Sequence, residues 1–385
     1  MVQAEEFRQH FPGLRDIVHL CSCSQGAQSD RTIVAMNEFM NSWRNGIAPW
    51  DEWMGMADRA REAFAALINA SPRDVAVVSC ASEAAFQVAS TQEYRPERAA
   101  IVTNDLEFPS IAHVWLAAQQ KGAEVRFATE TDGVVATEQY LELIDESVAL
   151  VSVPLVTYAN GMRFAVEEIS QKAHQVGAKV VVDAYQGAGV IPIDVNTMGC
   201  DYLFSGALKY LLGIPGIAFL WTRPEVGREV EPILTGWFAR QSPFAFTPRV
   251  LDYSPDARRF QTGTPGIAAA YASAAGLSLI NETDPRDVLQ HVETLADVLQ
   301  EGLIDLGYDL YSPLSVPARG PQVAVYSQNP EPLSAFLKAR HIYASPRGRA
   351  IRLSLHFYNN VEDVKRTIQA FAAFRDEHPR SVSVL

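Results

Sequence analysis

Cysteine is scarce in this chain, and the four that occur (Cys21, Cys23, Cys80 and Cys200) show no paired CxxC spacing. That pattern excludes a disulfide framework, gives no grounds for a metal site, and makes a reducing cytoplasm the expected setting. Positive charge is also in short supply: 32 Lys+Arg stand against 45 Asp+Glu, a formal net charge of -13. A surface of that sign works against nucleic acid and anionic membrane, so neither is expected as a partner. No apolar run is long enough to span a bilayer; the richest, Tyr210 to Trp221, is short and broken by Gly and Pro. The start, MVQAEEFRQHFPG, lacks the basic and apolar regions of a signal peptide. Internal repeats and low-complexity tracts are missing as well. What is present is 385 residues, 48% hydrophobic and 20% charged, enough for a large buried core and a second, smaller one.

From about residue 57, segments with a helical period alternate with short apolar runs of the kind that form strands. ADRAREAFAALINA reads as a helix, DVAVVS as a buried strand, and SEAAFQVAS as a helix beginning at Ser82. Further strands are expected at AAIVTN, AEVRFA, VALVSV, AKVVVD, CDYLFS and GIAFLW, separated by helices such as SIAHVWLAAQQ and VEEISQKAHQV. The alternation implies an α/β fold with a doubly wound, mostly parallel sheet covered by helices on both faces. Residues 237–266 are irregular and rich in Pro, Phe and Arg, and read as a structured loop. Beyond them the pattern implies a helix over Asp284 to Leu306, a strand over Gln322 to Ser327, a helix over Glu331 to Arg340, a strand over Ala350 to Ser354 and a helix over Val361 to Phe374. The expected division is a large α/β domain over 21–266, a small α+β domain over 267–385, and an N-terminal segment, 1–20, packed on the small domain.

The chemistry concentrates between Ala178 and Trp221. Asp183 ends the apolar strand AKVVVD, at the edge of an open α/β sheet where ligands bind. Taken alone it is as well explained as a turn residue. Lys209 stands in a stretch with no other charge after Asp201, and burial lowers a lysine's pKa as an imine-forming amine requires. Taken alone it reads as a snorkelling surface lysine. Together, a strand-end acid and a solitary lysine 26 residues later form the pattern that holds pyridoxal 5'-phosphate. The lysine carries the cofactor as a Schiff base, and the acid keeps the pyridine nitrogen protonated so that the ring accepts electrons.

With those residues in place, nearly the whole chain resembles the class V aminotransferase superfamily of fold-type I pyridoxal phosphate enzymes. DAYQGAGVIPID is similar to that family's DxxQ segment, which implies that Asp183 meets the pyridinium and Gln186 the ring hydroxyl. SCASEAAF resembles the phosphate loop, placing Ala81, Ser82 and neighbouring N–H groups at the phosphate; a Ser82 that only caps its helix is the alternative. NDLEFPSIAHVW is similar to the segment of the ring-stacking residue, here Phe108, for which a core role is the alternative, and VPLVTYANG puts Tyr158 near the ring hydroxyl. RRFQTGTPGI resembles a segment in which Gly263 and Thr264 reach the phosphate of a neighbouring subunit, so the resemblance implies a homodimer with shared active sites. IRLSLHFYNN is similar to the segment whose arginine, here Arg352, grips the substrate carboxylate; an interface ion pair is the alternative.

Within the family the likeness is greatest to the kynureninase-like branch. TGWFARQSPFAF, with Trp237, resembles that branch's GWFGHxxPFxF and brings Trp237 to the substrate, although Ala239 and Arg240 replace its Gly and His. Leu208 stands where that branch has a tyrosine before the lysine. A desulfurase-type persulfide mechanism lacks its sulfur, since the loop HIYASPRGRAIR contains no cysteine. The expected protein is a pyridoxal phosphate enzyme acting on a small amino-acid substrate, most simply an aminotransferase. The alternatives are a lyase, either kynureninase-like or cleaving a carbon–sulfur bond, and a non-catalytic binder that keeps the fold.

Overall fold

The computed structural model describes residues 2–378, so residue 1 of the expected N-terminal segment and residues 379–385 of the expected small domain lie outside the described residues. The strands are β1 (Val18–His19), β2 (Val75–Val78), β3 (Ala100–Asn104), β4 (Glu124–Ala128), β5 (Val148–Pro154), β6 (Lys179–Asp183), β7 (Tyr202–Gly206), β8 (Ala218–Thr222), β9 (Gln322–Tyr326), β10 (Ile342–Tyr343), β11 (Ser345–Arg347) and β12 (Ala350–Ser354). A seven-stranded sheet runs β2-β8-β7-β6-β5-β3-β4. β3, β5 and β7 are buried along their whole length, as their unbroken apolar runs require when helices cover both faces. β4 is one of the two edge strands, and Glu124 and Arg126 put charge on its exposed side.

From β4 across to β7 the pairings are parallel, while β8 is antiparallel to both β7 and β2. The reversal has a simple cause. The connection between β7 and β8 covers only residues 207–217, too short for the crossover that two parallel strands need. It therefore turns back at once, and it carries Lys209. The strand order also changes direction at β3, with β4 on one side and β5, β6 and β7 on the other. The C-terminal ends of β3 and β5 thus flank a switch-point crevice, where ligands bind in open α/β sheets.

The helix expected from residue 57 begins earlier and spans Trp50–Leu67, and another helix, Asp30–Gly46, comes before it. The latter is capped by Ser29, whose Oγ accepts the Thr32 N–H at 3.1 Å, and it leaves Ile33, Val34, Met40 and Trp43 exposed. Both pack against the helix Ile267–Asn281, tied by Tyr271 Oη donating to Glu52 at 2.7 Å and Asn281 Nδ2 donating to the Ala63 carbonyl at 2.9 Å. Although it follows residue 266, that helix sits with the large sheet and its small residues let it approach closely: a side chain at Gly276 would meet the backbone of Leu211 and Leu212.

The C-terminal part is a three-stranded antiparallel sheet, β11-β12-β9, with helices Pro285–Asp305, Pro330–Lys338 and Val361–Glu377. β12 is the strand expected over Ala350 to Ser354, while its hairpin partner β11 lies in a segment read as a loop. Residues near the N-terminus contact this part: β1 pairs with β10, Phe7 packs on Phe357, and Arg8 forms a 2.8 Å ion pair with Asp363. Residues 237–260 form only short 3-10 turns, as their composition implies.

Candidate active site

Asp183 ends β6 in the crevice and is 7% exposed. Its Oδ1 accepts the Tyr185 N–H at 2.8 Å. Burial pushes its carboxyl up, and that N–H and the charge of Lys209 pull it back. Lys209 lies on the β7-β8 connection; its chain keeps some surface, but its amine is enclosed. Burial lowers the amine to about 8, against the opposing pull of Asp183. Nζ lies 4.0 Å from the centre of the Tyr185 ring and 5.5 Å from that of Phe108.

The lysine's backbone is held by close packing of small residues. Gly26 N–H donates to the Leu208 carbonyl at 2.9 Å, and any side chain at Gly26 would strike the Lys209 carbonyl. Leu212 adopts φ 60, the left-handed conformation that closes the turn, and its N–H donates to the Lys209 carbonyl at 3.2 Å. Gly206 at the end of β7 leaves room for the Tyr185 ring, which a side chain there would overlap.

Phe108, Tyr158, Asp183, Gln186 and Lys209 line one pocket. The Phe108 and Tyr158 rings meet edge to face at 5.1 Å. Gln186 Nε2 donates to the Cys23 carbonyl at 3.1 Å, whereas its Oε1 is buried without a partner. An acceptor left orphaned in a cavity marks a place for a ligand's donor. Arg352 reaches the same region from β12. It is 2% exposed, and its Nη1 donates to the Tyr158 carbonyl at 2.7 Å and its Nη2 to Ser345 Oγ at 2.8 Å. Among the described residues its partners are a hydroxyl and carbonyls rather than a carboxylate, which leaves the charge of a buried guanidinium uncompensated.

The helix Ala81–Ser90 starts beside this pocket, one residue earlier than its sequence implies, with Cys80 as an N-cap whose side chain accepts from no helix amide. The first-turn amides of Ala81 and Ser82 are thus free of a side-chain cap, an arrangement suited to an anion. Glu83 ties the loop together by accepting from Ser79 N–H at 2.8 Å and from Thr262 Oγ1 at 2.9 Å. That contact brings the segment with Gly263 and Thr264 to the edge of the loop, but both residues are exposed and outside the pocket of Lys209. Trp237 is half-buried in an aromatic cluster, 6.1 Å from Trp50 and 5.9 Å from Phe246, and in this chain it lines a different cleft from Lys209.

Three features of the site carry no signal of their own in the sequence. Tyr185 sits inside the quoted DAYQGAG segment, and Glu107 immediately before Phe108; both line the pocket. The loop from Cys21 to Gly26 is the third. All four cysteines lie outside the C-terminal loop, yet Cys23 is buried near Lys209, so distance along the chain does not keep the thiols from the site. Burial pushes the Cys21 thiol up to about 12.

Comparison with known proteins gives the family and the fold. The profile of the family described as aminotransferase class-V matches residues 30–367. The chain belongs to the class-V aminotransferase family. It is 36% identical to the uncharacterized aminotransferase YcbU of Bacillus subtilis (strain 168), over 96% of this chain and 97% of that protein. It is 29% identical to a kynureninase of Pseudomonas fluorescens over 76% of this chain and 72% of that one. Its fold is that of the apo cysteine desulfurase from Thermococcus onnurineus NA1, with a TM-score of 0.88 and 23% identity over 98% of this chain and 99% of the other. The class-V cofactor is pyridoxal 5'-phosphate, and the fold is fold-type I. The residues present fit that group: a buried acid for the ring nitrogen, the unpartnered Gln186 Oε1 for a hydroxyl, an enclosed amine, and uncapped amides for a phosphate. Among the described residues no helix is long and apolar enough to cross a membrane.

Proposed function

We propose that this class-V enzyme is an aminotransferase whose amino-acid substrate is held at Arg352 and deprotonated at Cα by Lys209. The observation that carries the reading is the convergence of a buried amine, a buried acid and a buried guanidinium without an acid partner on one crevice. Bound there, pyridoxal phosphate supplies the electron sink for the pair released when the Cα–H bond breaks. Every other part of the task falls to the chain's own residues. Asp183 holds the ring nitrogen's proton, Phe108 covers a ring face, and the Ala81 and Ser82 amides take the phosphate. Arg352 offers a planar pair of donors to the substrate carboxylate and thereby orients the Cα–H bond.

Lys209 is suited to act as the base. With its amine at about 8, about a quarter is neutral at pH 7.5, against about a thousandth for an ordinary lysine. The assembly that goes with this reading is a cytoplasmic homodimer in which Gly263 and Thr264 approach the partner subunit's phosphate and Trp237 flanks the substrate.

The second reading is lyase chemistry, favoured by the likeness to a kynureninase. A persulfide pathway has little support, because the β11-β12 hairpin and its flanks contain no cysteine. Mass spectrometry of products from an amino-acid panel, with and without a 2-oxo acid, separates the two. Transamination gives a new amino acid only when the acceptor is present. Acceptor-independent release of alanine, sulfide or ammonia would replace it with the lyase.

A further inference from the structure

Asp183 is not the only carboxyl group in the cavity. Glu107 also lines it and is 4% exposed. Its Oε1 accepts the Phe108 N–H at 2.8 Å, and its Oε2 lies 3.2 Å from Ser152 Oγ. Behind Ser152, Tyr140 Oη donates to the Ser152 carbonyl at 3.0 Å and accepts from Asn104 Nδ2 at 2.7 Å. Glu107 thus ends a buried polar chain that crosses β3 and β5 and opens on the cofactor crevice. No lysine or arginine pairs with it among the described residues. The titratable groups that face it are Asp183 from β6 and Tyr140 from the helix Thr137–Leu143, with Lys209, Tyr158 and Tyr185 completing the cavity.

Two carboxylates in such a space strongly disfavour being charged together, so at neutral pH one of them holds its proton. The cavity contributes one lysine, whose charge is committed to the cofactor, and the ring nitrogen's proton balances one anion only. Of the two acids, Asp183 has the lysine's charge beside it. Glu107 has only a backbone N–H and a hydroxyl, and burial together with the facing Asp183 pushes it up.

We propose that Glu107 is a positioning residue of the cofactor site that keeps its proton at neutral pH in the contact with Ser152, leaving Asp183 as the single buried anion for the ring nitrogen. As pH rises Glu107 releases that proton to solvent, the cavity gains a second anion, and the ring nitrogen's proton is held more tightly. Glu107 therefore sets how far into alkali the cofactor stays protonated. The inference rests on the cofactor and not on the reaction, so its test needs no substrate.

The test uses the holoenzyme reconstituted with cofactor labelled with nitrogen-15 in the ring, titrated by NMR and visible absorbance from neutral to alkaline pH. Glu107→Gln mimics the protonated acid and cannot ionise. It is expected to retain the cofactor with the wild-type spectrum near neutrality, but to lose the ring nitrogen's proton about one to three pH units earlier than wild type. Superposable titrations would overturn the proposal. So would loss of cofactor from a folded Glu107→Gln protein, because a neutral side chain of the same shape should suffice. Should that variant fail to fold, infrared difference spectra of the wild-type holoenzyme decide. A buried carboxylic-acid carbonyl band at neutral pH that gives way to carboxylate in alkali is expected, and its absence at neutral pH refutes the assignment.

Discussion

Replacing Arg352 by lysine should weaken catalysis far more than it weakens the fold. Arg352 spends one donor on the Tyr158 carbonyl and two on Ser345, its Oγ and its carbonyl, in the β11-β12 hairpin, and meets no carboxylate among the described residues. Lysine can reach one of these acceptors or a substrate carboxylate, but it cannot offer two parallel donors. The loss is one charge-assisted hydrogen bond in the transition state, roughly 1.5 to 3 kcal/mol, or roughly 10- to 150-fold in kcat/KM. Arg352→Ala should lose at least as much, and it should also lower the melting temperature, because Ser345 Oγ loses the guanidinium donor and the Tyr158 carbonyl keeps only the 3.4 Å contact with Gln322 Nε2. Steady-state kinetics on the substrate identified by product analysis, with cofactor absorbance as a control, is the assay. Unaltered kcat/KM in both variants would remove Arg352 from the substrate site, and loss of cofactor would reassign it to the phosphate.

Borohydride reduction and peptide mapping should place the cofactor on Lys209, and a label on any other lysine would end that assignment. In cofactor-free protein the lowered pKa of Lys209 has a definite sign: between about 8 and 10.5 the unfolded chain binds the extra proton, so wild type should gain stability relative to Lys209→Met as pH rises through that window, as read by denaturant melts. Cys21→Ala should keep turnover, since burial holds that thiol protonated up to about 12; a folded variant that binds substrate but does not turn over would restore a sulfur mechanism. Sedimentation should show a two-subunit particle, and a fully active monomer would contradict the shared site.

The strands of the large sheet were legible because β3, β5, β6 and β7 are buried on both faces and therefore written as unbroken apolar runs. Asp183 and Lys209 stood out in the sequence only as a pair, a strand-end acid and a solitary lysine 26 residues later, since each alone reads as a turn residue or a surface lysine. The helix Asp30–Gly46 was not, since its exposed apolar residues blur the amphipathic period. Nor does any local pattern show that Glu107 is buried opposite Asp183: its neighbours in sequence resemble a turn, and its burial follows from where β3, β5 and β6 end side by side. The same holds for Cys23, brought to the lysine by Gly26 meeting Leu208, and for Arg352, whose guanidinium meets the Tyr158 carbonyl. Periodicity reports which face of an element is buried, whereas contacts between distant segments depend on how the elements pack, and only the tertiary structure decides them.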